Sequence, residues 1–326
     1  MNILVAGGAG YIGSVTTQQL LDAGHQVTVY DSLVKGYKAA IPDAANFIQG
    51  DILDSASLDS AFSAKPFDAV LHFAAFIEAG ESMTNPGKFF CNNVSGSMSL
   101  IEAASKHGVP RFVFSSTAGV YASKDTPIIE TDPIGPASVY GQTKYMVEET
   151  LEWYHRVKGL RFAALRYFNA AGATPPVRGE AHQPESHLIP LVLQVALGQR
   201  ENIAMFGNDY PTPDGTCVRD YIHITDLAAA HLLALKGLDE KSRMVYNLGN
   251  GTGYSVKEVI ETARGVTGHA IPAIAKPRRP GDAAILVGDA SKIRQELGWT
   301  PRLPDIKSII ASAWDWHHTH PNGYTK

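Results

Sequence analysis

Cysteine is scarce. The 326-residue chain has two, Cys91 and Cys217. That is too few for a disulfide framework, and a cytoplasmic protein with reduced thiols is the expectation. No Cys/His cluster has zinc-ligand spacing, so no metal is expected. Long apolar runs are missing as well. Met1 to Ala6 is apolar but stops at Gly7-Gly8. With no basic leader and no extended hydrophobic stretch, neither a signal peptide nor a membrane span is expected. Charge of one sign is not in excess either: the net charge is −4, with both signs mixed along the chain. Nothing therefore points to nucleic-acid or membrane partners. Repeats, low-complexity tracts and charge blocks are lacking. What remains is 44% hydrophobic and 18% charged, an ordinary globular composition with enough chain for two lobes.

The N-terminal third alternates strands with helices. Ile3-Leu4-Val5-Ala6 is a short apolar run ending in Gly7-Gly8-Ala9-Gly10-Tyr11-Ile12-Gly13, and a periodic stretch follows with Ile12, Val15, Leu20 and Leu21. Strand, glycine turn and helix in that order let backbone approach a pyrophosphate at a helix N-terminus. The next strand, Gln26–Tyr30, ends at Asp31, 18 residues after Gly13. A carboxylate near that spacing accepts from a ribose 2′-hydroxyl and repels a 2′-phosphate, so NAD is expected over NADP. Further strands are expected at 46–49, before Asp51-Ile52, and at 69–73, before Ala74-Ala75. A helix over 92–107 is expected to carry Val94, Met98 and Ile101 on one stripe. Strands at 111–115 and 161–166 follow. Polar residues gather after strand C-termini, where open parallel sheets bind ligands.

Tyr140 and Lys144 stand four apart in Ser138-Val139-Tyr140-Gly141-Gln142-Thr143-Lys144, so on a helix they share one face. A phenol is a poor base with an unperturbed pKa near ~10. A fixed ammonium beside it favours the phenolate and allows proton exchange with a hydroxyl near neutrality. Such chemistry serves a reaction in which hydride leaves a carbinol carbon. Thr117 lies 23 positions before Tyr140, and the segment between holds Pro127, Pro133 and Pro136. That loop can fold Tyr140 back towards Thr117.

Beyond about residue 170 the alternation becomes irregular. Residues 173–184 read as a Pro/Gly connector, 188–197 as a helix and 206–220 as a long loop holding Arg219. Helices are expected at 225–235, at 255–268 with Ser255 and Glu258 as a capping box, and at 306–319. A strand is expected at 244–248, a rigid basic turn at Pro277-Arg278-Arg279-Pro280-Gly281-Asp282, and a strand at 284–287. The expected architecture is α/β: a doubly wound parallel-sheet Rossmann domain over 1–170 and a smaller α/β substrate-binding domain over 171–326. Segments of the second are free to cross back to the first.

The glycine run, Thr117 and Tyr140-x-x-x-Lys144 resemble the extended short-chain dehydrogenase/reductase family. The run from Phe206 to His223, with Arg166-Tyr167-Phe168-Asn169 and Tyr246-Asn247-Leu248-Gly249, is similar in particular to UDP-glucose (UDP-galactose) 4-epimerases over essentially the whole chain. The resemblance implies NAD held by Gly7, Gly10, Tyr11, Ile12, Gly13, Asp31 and Ser32. It extends that site to Asp51, Ile52, Phe73, Ala74, Ala75, Asn92, Ser115, Tyr140, Lys144 and Tyr167. The UDP-hexose substrate would lie on Thr117, Tyr140, Phe168, Asn169, His187, Leu188 and Phe206, with Arg219, Tyr221, Arg279, Asp282 and Leu286. Tyr140, Lys144 and Thr117 would be catalytic, and a homodimer would pack through helices at 92–107 and 140–158. Two departures stand out. Some members carry Lys at Ile77, and many carry Asn at His187.

The implied reaction is oxidation at sugar C4, rotation of the 4-keto sugar, and reduction on its other face. UDP-N-acetylhexosamines are a second substrate class in view. Three other readings share the fold. A dehydratase would need an added acid and base after the Thr, where this chain has Ala118-Gly119. A dehydrogenase would exchange its cofactor and make net NADH. A non-catalytic NAD sensor would have no use for Thr117, Tyr140 and Lys144 together.

Overall fold

The computed structural model describes residues 1–279 and 282–325; Pro280 and Gly281 of the expected basic turn lie outside them. In chain order the strands are β1 (Asn2–Ala6), β2 (Gln26–Asp31), β3 (Asn46–Gln49), β4 (Ala69–His72), β5 (Arg111–Thr117) and β6 (Arg161–Tyr167). Then come β7 (Asn169–Ala171), β8 (Ile203–Phe206), β9 (Val218–His223), β10 (Arg243–Leu248), β11 (Gly253–Ser255), β12 (Ala273–Lys276) and β13 (Ile285–Leu286). A seven-stranded sheet runs β10-β6-β5-β4-β1-β2-β3, with every pair parallel.

Both faces of the sheet are covered, so its strands are apolar at nearly every position. Along β1, Ile3 and Val5 enter the core under helices Tyr11–Asp22 and Ile224–Gly237. Leu4 and Ala6 enter the opposite core, under helices Ser55–Ala64, Gly96–Lys106 and Val139–Lys158. The chain winds outward from β1 to β3 and then returns to place β4 on the other side of β1. A crevice opens where the winding reverses, beyond the C-terminal ends of β1 and β4.

The smaller lobe packs helices Leu188–Ala196, Val256–Thr267 and Ile306–Thr319 around a third core. Its sheet centres on β9, which pairs with β7, β11 and β13. The capping box at Ser255 and Glu258 is present, and the left-handed Gly268 ends the helix.

The structure corrects the sequence reading in two places. The helix expected over 92–107 begins earlier, at Pro86, and contains a π turn over Phe90–Ser95. The wider turn shifts the side-chain register, so Val94 and Ile101 are buried while Met98 is 49% exposed. The loop expected over 206–220 already becomes strand at Val218, so Arg219 sits on β9. Strand β10 belongs to the large sheet, paired with β6.

Candidate active site

The glycine turn after β1 is shaped by contacts that admit no side chain. Gly7 has φ +82°, and a Cβ there would lie 2.4 Å from the Ala74 backbone nitrogen. A Cβ on Gly13 would lie 2.2 Å from the Gly7 carbonyl oxygen. The helix Tyr11–Asp22 therefore starts directly against the turn, with its free N–H groups facing the crevice. Asp31 at the end of β2 accepts from Ala9 N at 3.0 Å and from Leu33 N at 2.8 Å. It pins the glycine turn and keeps acceptor capacity for a ribose diol. Burial pushes its carboxyl upward, opposed by those two N–H donors. Ser32, Asp51, Ile52, Phe73, Ala74, Ala75 and Asn92 line the same crevice. A small-residue cradle with a carboxylate at its end fits a dinucleotide.

The crevice continues into a cavity of about 340 Å³ lined by Gly10, Tyr11, Ile12, Gly13, Ser115, Thr117, Tyr140, Lys144 and Tyr167. Ser138 caps helix Val139–Lys158 by accepting from Gly141 N at 3.1 Å. Gly141 lets the helix press onto the turn after Thr117, where a Cβ would lie 2.2 Å from the Gly119 carbonyl oxygen. That close approach sets Tyr140 against Thr117. Burial pushes the Tyr140 phenol up to about 12; a hydrogen bond with Thr117 opposes the shift and Glu78 adds to it. Lys144 Nζ donates to the Ser115 carbonyl at 2.8 Å and stands 4.9 Å over the Phe114 ring. Burial lowers it to about 7, against the pull of Glu148. Burial is the largest influence on both groups, and neither shift includes the other group, so the chain alone does not display a phenol made acidic by its lysine. Ser115 Oγ hydrogen-bonds to the Tyr167 hydroxyl. Behind Lys144, Arg166 and Glu148 form a buried pair.

The expected substrate residues fall into two groups. Thr117, Tyr140, Phe168, Asn169 and His187 line the cavity. Arg219, Asp282, Arg279, Phe206 and Leu286 gather on the smaller lobe. Arg219 Nη2 lies 3.5 Å from Asp282 Oδ1. Its Nη1 donates to the carbonyls of Val218 and Ala283, both at 2.9 Å. The Arg279 guanidinium stacks 3.9 Å over the Phe206 ring, and Leu286 pairs in register with Arg219. Tyr221 is buried in the third core, with Leu188 packed against it. Tyr221 pairs in register with Asn169, whose Nδ2 donates to the Asp220 carbonyl at 2.8 Å.

Sequence reasoning missed one wall of the cavity. Residues 173–184 read as a connector, yet Gly179, Glu180, Ala181 and His182 line it, with Lys35, Tyr37, Glu78 and Tyr324. Lys35 Nζ reaches Glu78 at 2.6 Å and the Gln183 carbonyl at 3.0 Å, tying two sides together. Tyr324 Oη accepts from Gly179 N at 3.1 Å. The density of Glu and His over 180–187 was the available signal. His187 is held cationic, raised to about 10 by Glu180 and Glu185 against the effect of burial.

Residues 3–249 match the NAD dependent epimerase/dehydratase family. The chain belongs to that family. A UDP-glucose 4-epimerase of Halalkalibacterium halodurans is 51% identical, over 100% of this chain and 98% of that relative. A crystal structure of a UDP-glucose 4-epimerase superposes with a TM-score of 0.97 at 50% identity, covering all of both chains. The Bifidobacterium longum UDP-glucose 4-epimerase, solved in complex with NAD+ and UDP, gives a TM-score of 0.94 at 38% identity, covering 99% of this chain and 100% of that one. The family's nucleotide chemistry agrees with the glycine cradle and Asp31 of this epimerase/dehydratase family member.

Proposed function

We infer that the chain is an isomerase that interconverts UDP-glucose and UDP-galactose by reversible oxidation at sugar C4. The observation that carries this reading is Tyr140 set against Thr117 and one helical turn from Lys144, in the cavity that continues the dinucleotide crevice. NAD, when bound, supplies the acceptor and donor of hydride and brings positive charge into the cavity. Tyr140 accepts the O4 proton and later returns it. Thr117 holds the reacting oxygen by hydrogen bonding. Lys144, anchored on Ser115, fixes the helix face that carries the phenol. Arg219, Arg279 and Phe206 serve the UDP end, so binding is concentrated on the nucleotide and the 4-keto sugar is free to turn. Net redox change is zero.

In this reading residues 1–170 carry NAD, and 171–326 mainly carry the UDP-sugar. Helix Ile224–Gly237 and β10 return to the first lobe. The chain acts as a cytoplasmic homodimer. Exposed Met98, Trp153 and Val157 on helices Gly96–Lys106 and Val139–Lys158 support that pairing. Among the described residues no helix is long and apolar enough to cross a membrane.

The test is purified protein mixed with UDP-galactose and no added NAD, with both UDP-hexoses and NADH followed over time. The expected result is a mixture of the two UDP-hexoses with no accumulating NADH. In a parallel assay with NAD added, NADH rising in step with substrate consumed and no UDP-glucose formed would make the protein a dehydrogenase.

A further inference from the structure

We propose that Glu180, His182, Glu185 and His187 form a binding site for a divalent transition-metal cation of the zinc class. The four side chains come from one short segment, Glu180-x-His182-x-x-Glu185-x-His187. Each offers one ligand atom, and these atoms all lie within 4.8 Å of one another. The Nδ1 atoms of His182 and His187 converge on the same Glu180 oxygen, at 3.0 Å and 2.6 Å. Glu185 Oε1 lies 3.3 Å from His187 Nδ1. Donor atoms around a tetrahedral zinc, with bonds of about 2.0–2.1 Å, stand about 3.3 Å apart. The cluster reaches that arrangement by small side-chain movements.

A second observation points to a ligand. His187 Nδ1 is buried and makes no well-directed hydrogen bond, although two carboxylates crowd it. A metal cation between them would displace the His187 proton and take the freed Nδ1 lone pair as a ligand. The donors are also held in advance: Glu185 Oε1 accepts from the backbone N–H groups of Ser186 at 2.7 Å and His187 at 2.9 Å. Both glutamate side chains are 4% exposed, whereas His182 and His187 are 22% and 41% exposed, so a cation here is buried on its carboxylate side.

Two imidazoles and two carboxylates suit zinc and its first-row neighbours. Calcium and magnesium take oxygen ligands. Spacing rules built on Cys/His pairs do not find this set, because half of its donors are carboxylates. Three of the four ligands line the cavity that holds Tyr140. The cation would staple the segment 180–187 into one position as a cavity wall. This site does not depend on the sugar chemistry proposed above.

The test uses the whole purified protein, stripped with a chelator, freed of the chelator and titrated with Zn²⁺ alone. Bound metal is measured by elemental analysis and thermal stability in parallel. The expected result is one zinc per chain and a melting temperature that rises with zinc concentration. Co²⁺ in its place should give the intense visible absorption of a four-coordinate site. His182→Gln and Glu185→Gln should each weaken zinc binding at least about tenfold, while their metal-free melting stays near that of the parent. Wild-type protein that retains no zinc would overturn the proposal. Equally tight binding by both variants would overturn it too, leaving these residues a hydrogen-bonded His–carboxylate cluster.

Discussion

The Lys144 ammonium donates to the Ser115 carbonyl at 2.8 Å, joining helix Val139–Lys158 to the C-terminal end of β5. Ser115 lies two residues before Thr117 on the same strand, and Lys144 one turn after Tyr140 on the helix. One hydrogen bond thus fixes the strand that carries the hydroxyl against the helix that carries the phenol. Both charged forms are costly in this buried place, which is why the phenol is pushed up and the ammonium down.

Tyr140→Phe removes the proton acceptor and leaves the ring in place. Turnover of UDP-galactose should fall ~10²–10⁴-fold. Cofactor recovered from the denatured variant should remain NAD at the parent's stoichiometry. A rate near that of the parent would remove Tyr140 from its role.

Arg166→Met leaves the Glu148 carboxylate buried without its partner. In the parent, Arg166 Nε lies 3.0 Å and 3.1 Å from the two Glu148 oxygens, and Nη1 donates to the Tyr121 hydroxyl at 2.8 Å. Orphaning a buried charge costs about 3–5 kcal/mol. Urea denaturation should show a loss of that size, and a loss below about 1 kcal/mol would mean that water reaches Glu148.

His231 makes stability pH-dependent. Its ring is buried, packed 4.9 Å from Phe73, with Nδ1 donating to the Leu227 carbonyl at 2.8 Å. Burial lowers it from 6.5 to about 4. Between those values the unfolded chain binds the proton and the folded chain does not, so stability falls as pH drops from about 6.5 towards 4. His72 and His223, lowered to about 3 and about 4, act in the same direction. At about 1.4 kcal/mol per pH unit, His231 accounts for about 3 kcal/mol. His231→Phe should flatten the acid limb of a denaturation series taken between pH 7 and pH 4. An unchanged limb would show that the folded histidine takes up its proton over the same pH range as the unfolded one.

Leu286→Tyr tests the substrate range. Leu286 packs against the apolar cluster that contains Ala118 and Phe168. It is smaller than an aromatic residue and larger than Ser or Cys, so UDP-N-acetylgalactosamine should turn over at a lower but measurable rate than UDP-galactose. An added ring blocks an acetyl group sterically, where one methylene shifts discrimination only ~10–200-fold. The variant should lose the N-acetyl activity and keep the other. Equal loss of both would assign Leu286 to packing.

The sequence by itself determined the features written in adjacent residues. The run from β1 through Gly7, Gly10 and Gly13, the strand ending at Asp31, and the i, i+4 pair Tyr140 and Lys144 follow from backbone sterics and helical period. The capping box at Ser255 and the helix Ile306–Thr319 were legible for the same reason. Tertiary structure decided what depends on partners distant in the chain. Strand β10 joins the large sheet because β6 offers it a free edge, with paired residues 81 apart in the chain, as in Arg243 and Phe162. Arg219 becomes a strand residue because β7, β11 and β13 pair with β9, although the segment before it, with Gly207, Pro211, Pro213 and Gly215, is rich in turn formers. The wall at 179–187 is held by Lys35 and Tyr324, contacts that no local pattern encodes. The protonation of Tyr140, Lys144 and His187 was likewise out of reach, because it is set by burial and neighbouring charge, and both arise only when the chain has closed around them.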